Sequence, residues 1–363
     1  MKKSKIAFLL VSNGFAGAER VVHSLTRNLS EVNSKNVSLF INKEIFSFYL
    51  DLKKIKKYSI GKIISKSRLL KRMRLFSSGI ILRKILDEKR FNILNIHMFP
   101  PLEIINAIHR SKVPYLITLH GVKDINKFKN SSSIFYNAFL KPIFKKFLDR
   151  AYLIISVSKE VAQNLPEEYK KKTIVIPNGV DSKIFRPLNN IKQKKNVILF
   201  VGRYIDIKGI KEIINVARQL SQYEFWFAGQ GPLDNEIKGR NIKNLGFKTT
   251  KELVRLYNQA TICIFPSWYE PFGLVGLEAM SCQRAVIATP FGFLEYIKNG
   301  KDGIIIPAKD EKVLKNAIVK LMINEKLRKK LEKNARKKAI QYSWEKVTKQ
   351  YLKVFTQVIK ENE

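Results

Sequence analysis

Acidic residues are scarce in this chain. Thirty Asp and Glu face 68 Lys and Arg over 363 residues, a formal net charge of +38. A surplus of that size invites three kinds of partner: nucleic acid, an anionic membrane surface, or phosphorylated small molecules. Cysteine is scarcer still. Cys263 and Cys282 cannot build the disulfide framework of a small secreted scaffold and suit a reducing compartment. Long apolar runs are missing too, none approaching the ~18 residues of a spanning helix. The start, Lys2-Lys3-Ser4-Lys5 followed by Ile6–Val11, imitates a signal peptide, with Ala16-Gly17-Ala18 as a mock cleavage site. Its apolar core falls short of the roughly 7–15 residues such a segment needs, so a cytoplasmic location is expected. Several motifs are absent: zinc-ligand spacing, a Walker phosphate loop, a Gly-x-Ser-x-Gly elbow and the Gly-x-Gly-x-x-Gly dinucleotide fingerprint. With no Asp-x-Asp pair either, no cofactor or metal ion is expected. Charge on a phosphate must then be met by cationic side chains and helix termini.

What is present is an α/β pattern. A hydrophobic content of 45% excludes a disordered basic tail, and the length suits two domains of roughly 150 residues. Short apolar runs alternate with helical patterns, which indicates parallel sheets. Strands are expected at Ile6–Val11, Val37–Ile41, Ile93–Ile96, Tyr115–Leu119, Leu153–Val157 and Thr173–Ile176. A second set follows at Val197–Val201, Glu224–Ala228, Ile262–Phe265, Val286–Ala288 and Gly303–Ile306. Helices are expected at 18–30, 102–111 and 134–150. Thr249 with Glu252 makes a capping box for a helix reaching Gln259, and Asp310 caps another running to Ile323. The polar, aperiodic stretch 186–196 reads as a linker. It separates a domain 1–185 from a domain 197–342, and a C-terminal helix at 343–363 is free to pack back on the first domain. In open parallel sheets ligands bind beyond the carboxyl ends of the strands.

Candidate ligand residues cluster at those ends. After Val197–Val201 comes Gly202-Arg203-Tyr204-Ile205-Asp206-Ile207-Lys208-Gly209, then a helix. Arg203, a planar fork, and Lys208, a point charge, beside a helix start suit a diphosphate, although both also read as surface cations of a basic chain. Gly229-Gln230-Gly231-Pro232 is a second glycine loop, equally readable as a plain turn. The stretch from Pro266 to Met280 carries Glu270 in a Pro/Gly-punctuated loop and Glu278 in the second turn of the next helix, with helix N–H groups beside Gly273 able to hold a phosphate. In the first half, Gly17 opens a helix after the first strand and can admit an anion to backbone donors. His120, at a strand's carboxyl end beside Gly121, is well placed for a ligand. His97 reads either way, while His23 and His109 are ordinary helix residues.

In order along the chain, Ala16-Gly17-Ala18-Glu19, His120-Gly121, Ser156-Val157-Ser158, Pro177-Asn178-Gly179-Val180-Asp181, Gly202-Arg203 with Lys208-Gly209, Gly229-Gln230-Gly231-Pro232, and Glu270-Pro271-Phe272-Gly273 through Glu278-Ala279 resemble the family-4 retaining glycosyltransferases of the GT-B fold. The resemblance implies two doubly wound Rossmann-like parallel-sheet domains facing across a cleft. It implies transfer of a sugar from a nucleotide-sugar donor to an acceptor hydroxyl. Arg203 and Lys208 would then grip the donor diphosphate, with the Gly17 backbone contributing. Glu270 would contact sugar hydroxyls, Glu278 the ribose, Gly246 and Phe247 the base, and His120 the reacting sugar. The backbone of Phe272, Gly273 and Leu274 would support sugar and phosphate. The sequence departs from the family at Phe293, where a second glycine is common, and at Ala16-Gly17, where paired glycines are usual.

The charge is unevenly placed. Residues 51–100 hold fourteen basic and three acidic side chains, whereas 201–300, with most donor contacts, hold twelve and nine. Apolar residues interleave with the basic ones in Ser67-Arg68-Leu69-Leu70-Lys71-Arg72-Met73-Arg74-Leu75-Phe76. That is the pattern of a surface settling on anionic lipid, and equally of a solvated helix face in a lysine-rich chain. The first reading implies a lipid-linked or glycan acceptor and a peripheral place on the inner face of the cell membrane. Two rivals remain: a GT-B sugar-nucleotide epimerase or hydrolase, and a basic nucleic-acid-binding protein. The second lacks any recognition motif. A glycosidase using Glu270 and Glu278 leaves Arg203 and Lys208 without a role.

Overall fold

The computed structural model describes residues 4–12, 17–32, 36–65, 67–121 and 141–362. The chain divides into two compact units, Met1–Pro177 with Trp344–Glu363, and Asn178–Ser343. The first unit is built on β1 (Lys5–Leu10), β2 (Asn36–Ile41), β3 (Lys56–Ser59), β4 (Ile93–His97), β5 (Tyr115–Leu119), β6 (Leu153–Ser156) and β7 (Thr173–Val175). These strands lie in the order β3-β2-β1-β4-β5-β6-β7. The second is built on β8 (Val197–Val201), β9 (Glu224–Ala228), β10 (Ile242–Asn244), β11 (Ile262–Phe265), β12 (Ala285–Ala288) and β13 (Ile304–Ile305), in the order β10-β9-β8-β11-β12-β13. Pairings in both sheets are parallel. Both are doubly wound, with the strand order reversing between β1 and β4 and between β8 and β11. These switch points are where such sheets offer a crevice at their carboxyl edge.

Central strands of a parallel sheet are covered on both faces, so they read as near-continuous apolar runs. β4, β5, β8, β11 and β12 are buried throughout. The two strands that sequence reading missed, β3 and β10, lie at sheet edges and carry Lys56, Lys57 and Lys243. Charge on an edge guards against unwanted pairing and erases the apolar signature.

The capping box forms: Thr249 N–H donates to Glu252 Oε2 at 2.8 Å, and Glu252 N–H to Thr249 Oγ1 at 3.4 Å, opening the helix Thr250–Gln259. Asp310 Oδ1 accepts from Val313 N–H at 2.9 Å. The helix expected over 134–150 is described as Lys141–Arg150; its earlier part lies outside the described residues. The stretch 186–196, read as a linker, is bound into the second unit. Leu188 N–H donates to Asn258 Oδ1 at 2.8 Å and Gln193 Nε2 to Glu332 Oε1 at 3.2 Å, so its polar groups are used in packing. The helix Trp344–Lys360 belongs to the first unit, where Phe355 meets Phe8 edge-on at 5.9 Å.

A long helix, Arg68–Lys89, buries only a narrow stripe through Leu75, Ser78, Leu82 and Leu86. Gly79 sits in that stripe because a Cβ there would stand 2.7 Å from the Glu103 carbonyl oxygen on the neighbouring helix Leu102–Arg110. The approach to this helix is held by Glu44. Its carboxylate accepts from Asn42 Nδ2 at 2.7 Å and from the amides of Ile63 and Ile64 at 2.8 and 2.7 Å. Burial pushes Glu44 upward, but these hydrogen bonds win and hold it below the ordinary glutamate range. A carboxylate with a lowered folded pKa stabilises above its unfolded pKa, and that contribution is lost as pH falls through the folded value. Glu44→Gln is therefore expected to cost about 1 kcal/mol near neutral pH. The gap from wild type should close as denaturation curves are repeated at falling pH through the carboxylate range.

Candidate active site

In the second unit, the switch point lays two loops side by side. β8 ends at Val201, and the chain runs through Arg203 and a short 3-10 turn, Asp206–Lys208, to the helix Ile210–Gln219. β11 ends at Phe265, and the chain runs through Trp268 and Glu270 to the helix Leu274–Ser281. Trp268 N–H donates to the Ile207 carbonyl at 2.8 Å. Gly209 adopts φ +71°, and a Cβ on it would stand 2.4 Å from the Pro266 carbonyl oxygen, so only glycine allows this approach. The Trp268 indole is fixed in turn by Glu212 Oε1 at 2.8 Å. A third loop joins at Gly292, φ +68°, where a Cβ would stand 2.2 Å from the Glu270 carbonyl oxygen.

This seating brings Lys208 and Glu270 together. The Lys208 ammonium is ion-paired with Glu270 Oε2, the two side chains 20% and 16% exposed. They are 62 residues apart in sequence, and sequence reasoning gave them separate ligands without seeing the pair. Arg203, on the same loop, is exposed. Gly273 stands in the left-handed region at φ +78° as the N-cap of the next helix and has no side chain to cap it. Gly276 N–H turns back to the Gly273 carbonyl at 3.0 Å, and the N-cap offers no side-chain acceptor to the N–H groups ahead of it.

Phe272 is buried, its ring 5.3 Å from Tyr296, so only its backbone can serve a ligand. Leu274 is partly exposed. Glu278 is 3% exposed and accepts from Tyr257 Oη at 3.2 Å. Gly246 has φ +68° with nothing near its missing Cβ, and Phe247 beside it is 69% exposed, an unusual position for so large an apolar ring. Gly229 and Gly231 serve packing: a Cβ on either would collide with the backbone of Gly202 or Tyr204.

Phe293, the departure from the family pattern, is wholly buried and stacks on Phe265 at 6.0 Å. Its ring lies where a Cβ on Gly273 or Gly276 would go, at 2.5 and 2.8 Å. It forms the floor beneath the helix start. Phe293→Ala is expected to lower unfolding free energy by about 3–5 kcal/mol, through the cavity it leaves, as read from urea denaturation.

In the first unit, Gly17 is exposed and opens the helix Gly17–Val32, with open space where a Cβ would stand. Ala16 lies outside the described residues. His120 follows β5 and is hydrogen-bonded to His97, Nδ1 of His97 to Nε2 of His120 at 2.8 Å. Desolvation pushes His120 down to about 4, and burial followed by the neighbouring His120 pushes the fully buried His97 well below the ordinary range. Both imidazoles are therefore neutral at physiological pH. His23 and His109 sit on helices; His23 faces Asp51 at 2.9 Å.

Residues 15–183 match the model for Glycosyltransferase Family 4, and residues 181–338 that for Glycosyl transferases group 1. An uncharacterized glycosyltransferase of Methanocaldococcus jannaschii is 30% identical, aligned over 76% of this chain and 78% of its own. The chain thus belongs to the family-4 glycosyltransferases and has the GT-B fold. A Campylobacter jejuni enzyme, GalNAc-alpha-(1->4)-GalNAc-alpha-(1->3)-diNAcBac-PP-undecaprenol alpha-1,4-N-acetyl-D-galactosaminyltransferase, is 24% identical over 98% of this chain and 99% of its own. Among solved structures, the Anabaena protein HepE in complex with UDP-glucose superimposes with a TM-score of 0.77, covering 97% of this chain and 99% of that one at 17% identity.

Proposed function

We propose that the protein is a retaining glycosyltransferase that moves a sugar from a nucleotide-sugar donor to an acceptor hydroxyl on a lipid-linked or cell-surface glycan intermediate. The Lys208–Glu270 pair carries this reading. Loss of a nucleoside diphosphate builds negative charge on phosphate and positive charge on the sugar ring, and a site must meet both. Lys208 and Arg203 supply the cations for the diphosphate, aided by N–H groups of the helix beginning at Leu274. Glu270 contacts the hydroxyls of the transferred sugar, and its pairing holds the Lys208 ammonium ready before the donor arrives. Glu278 takes the ribose, and Gly246 with Phe247 the base. The resemblance in sequence assigns the Gly17 backbone to the diphosphate and His120 to the sugar as well. The UDP-glucose bound to the Anabaena protein supports a nucleotide-sugar donor, and the PP-undecaprenol in the Campylobacter enzyme's name supports a lipid-linked acceptor.

Removing one such cation is expected to lower transfer about 10²–10³-fold in Arg203→Ala or Lys208→Ala, with the fold retained. A screen of UDP, GDP, ADP and CDP identifies the base. At 100 times its dissociation constant the right one stabilises wild type by about 2.7 kcal/mol, and both variants should lose much of that shift. Unchanged turnover in both would refute the donor site, and sugar release without acceptor would favour a hydrolase or epimerase.

The acceptor reading draws on the helix Arg68–Lys89. It exposes Leu69, Leu70, Met73, Phe76 and Ile80 among the exposed cations Lys71, Arg72, Arg83 and Lys84. A cavity of about 350 Å³ beside it is lined by Ile63, Ile64, Lys71, Leu75, Phe99 and Phe144. Apolar side chains beside cations suit an anionic lipid surface. The attachment proposed is peripheral, and no helix among the described residues is long and apolar enough to cross a membrane. The protein should float with anionic vesicles at moderate salt and not with neutral ones, and Met73→Ser with Phe76→Ser should weaken flotation. Absence of flotation with anionic vesicles would count against membrane attachment.

A further inference from the structure

Four side chains at the carboxyl edge of the first sheet form one hydrogen-bonded chain. Asn95 and His97 are two apart on β4, and Thr118 on β5 and His120 just beyond it are likewise two apart. His97 and Thr118 are register partners across the two strands. Period-two alternation therefore points all four to the same face. Thr118 Oγ1–H donates to Asn95 Oδ1 at 2.9 Å. Asn95 Nδ2 lies 3.1 Å from His97 Nε2, and His97 Nδ1 lies 2.8 Å from His120 Nε2. Asn95, His97 and Thr118 are buried, while His120 is partly exposed.

The donors and acceptors can be followed from one end. An amide nitrogen only donates, so His97 Nε2 must accept and carries no proton. The proton of neutral His97 then sits on Nδ1 and is donated to His120 Nε2. His120 Nε2 accepts, so its own proton is on Nδ1. We infer that His97 is a positioning residue, which holds His120 as the Nδ1–H tautomer so that His120 presents an N–H donor to substrate. The inference rests on the reading of His120 as a sugar contact for its functional meaning, while the tautomer is a property of the protein alone. A proton on His120 Nε2 would face the His97 Nδ1–H. Relieving that clash by moving the His97 proton to Nε2 would set it against the Asn95 amide. The lowered pKa values of both imidazoles agree with this block. A fixed tautomer fixes the direction of that hydrogen bond: a sugar hydroxyl accepts from Nδ1–H and keeps its own proton for another acceptor, whereas a ring free to exchange tautomers would sometimes make the hydroxyl donate instead.

The test reads imidazole nitrogen resonances of isotope-labelled histidine in the full-length protein without substrate, since protonated and bare ring nitrogens are well separated. Wild type should show Nδ1–H on both His97 and His120. His97→Leu should leave His120 a mixture of tautomers and lower sugar transfer about ten-fold, the loss of one oriented hydrogen bond. His97→Asn, whose amide can donate from the Nδ1 position, should restore the Nδ1–H form and most of the turnover. An Nε2–H tautomer on His120 in wild type overturns the inference, as does a His97→Leu protein with wild-type tautomer and turnover. If His97→Leu does not fold, the wild-type spectrum alone decides. If no sugar transfer is found with any donor, the glycosyltransferase reading fails while the tautomer result stands.

Discussion

The hydrogen bond from Trp268 N–H to the Ile207 carbonyl lays the loop after β11 against the loop after β8, and the candidate donor site follows from that contact. By itself such a bond is worth only about 1 kcal/mol. Its leverage comes from the glycine beside it. Gly209 lets two backbones approach more closely than any side chain would permit, and Gly292 does the same for a third loop against Glu270. Three loops that begin at different strand ends are thereby packed backbone to backbone, with little room to drift. Lys208 and Glu270 are paired as a result, both mostly shielded, so their attraction is less screened than that of a surface pair.

The first unit uses a different device at its own carboxyl edge. There the ordering elements are polar chains set into an apolar sheet: Ser12, Asn42 and Glu44 near β1 and β2, and Thr118, Asn95, His97 and His120 at β4 and β5. Buried polar groups are costly unless every member finds a partner, and a satisfied network then permits few alternative arrangements. The same satisfaction that stabilises Asn95 and His97 also dictates where the proton of His120 resides. Stability and chemical directionality have one source here.

Much of the fold is legible in the sequence because parallel strands covered on both faces are mostly apolar, even where a buried polar residue such as Asn95 or Thr118 interrupts them. β1, β4, β5, β8 and β11 announced themselves for that reason, and the Thr249 and Asp310 caps were readable because capping is local chemistry. The edge strands β3 and β10 were not, since charge at an edge hides the pattern. The polar stretch 186–196 looked like a linker because its partners, Asn258 and Glu332, lie far away in sequence. Glycine punctuation and charge mark Glu270 and Lys208 individually, yet nothing local pairs them.

Two parallel-sheet units, the family, and the residue types that motivate the proposed sugar-donor site can all be read from the letters alone. Local rules suffice for these: hydrophobic period, turn residues and motif order are written in neighbouring letters. Which groups meet is set by the fold. Strand order places the end of β8 beside that of β11, and the end of β4 beside that of β5. Through that adjacency a lysine acquires its carboxylate and one histidine acquires another. Phe293 shows the same division, since a residue that looked like an irregularity in a motif proves to be the floor on which the Gly273 helix start rests. Contacts between residues distant in sequence depend on topology and shape complementarity, and neither is a property of any short stretch of chain.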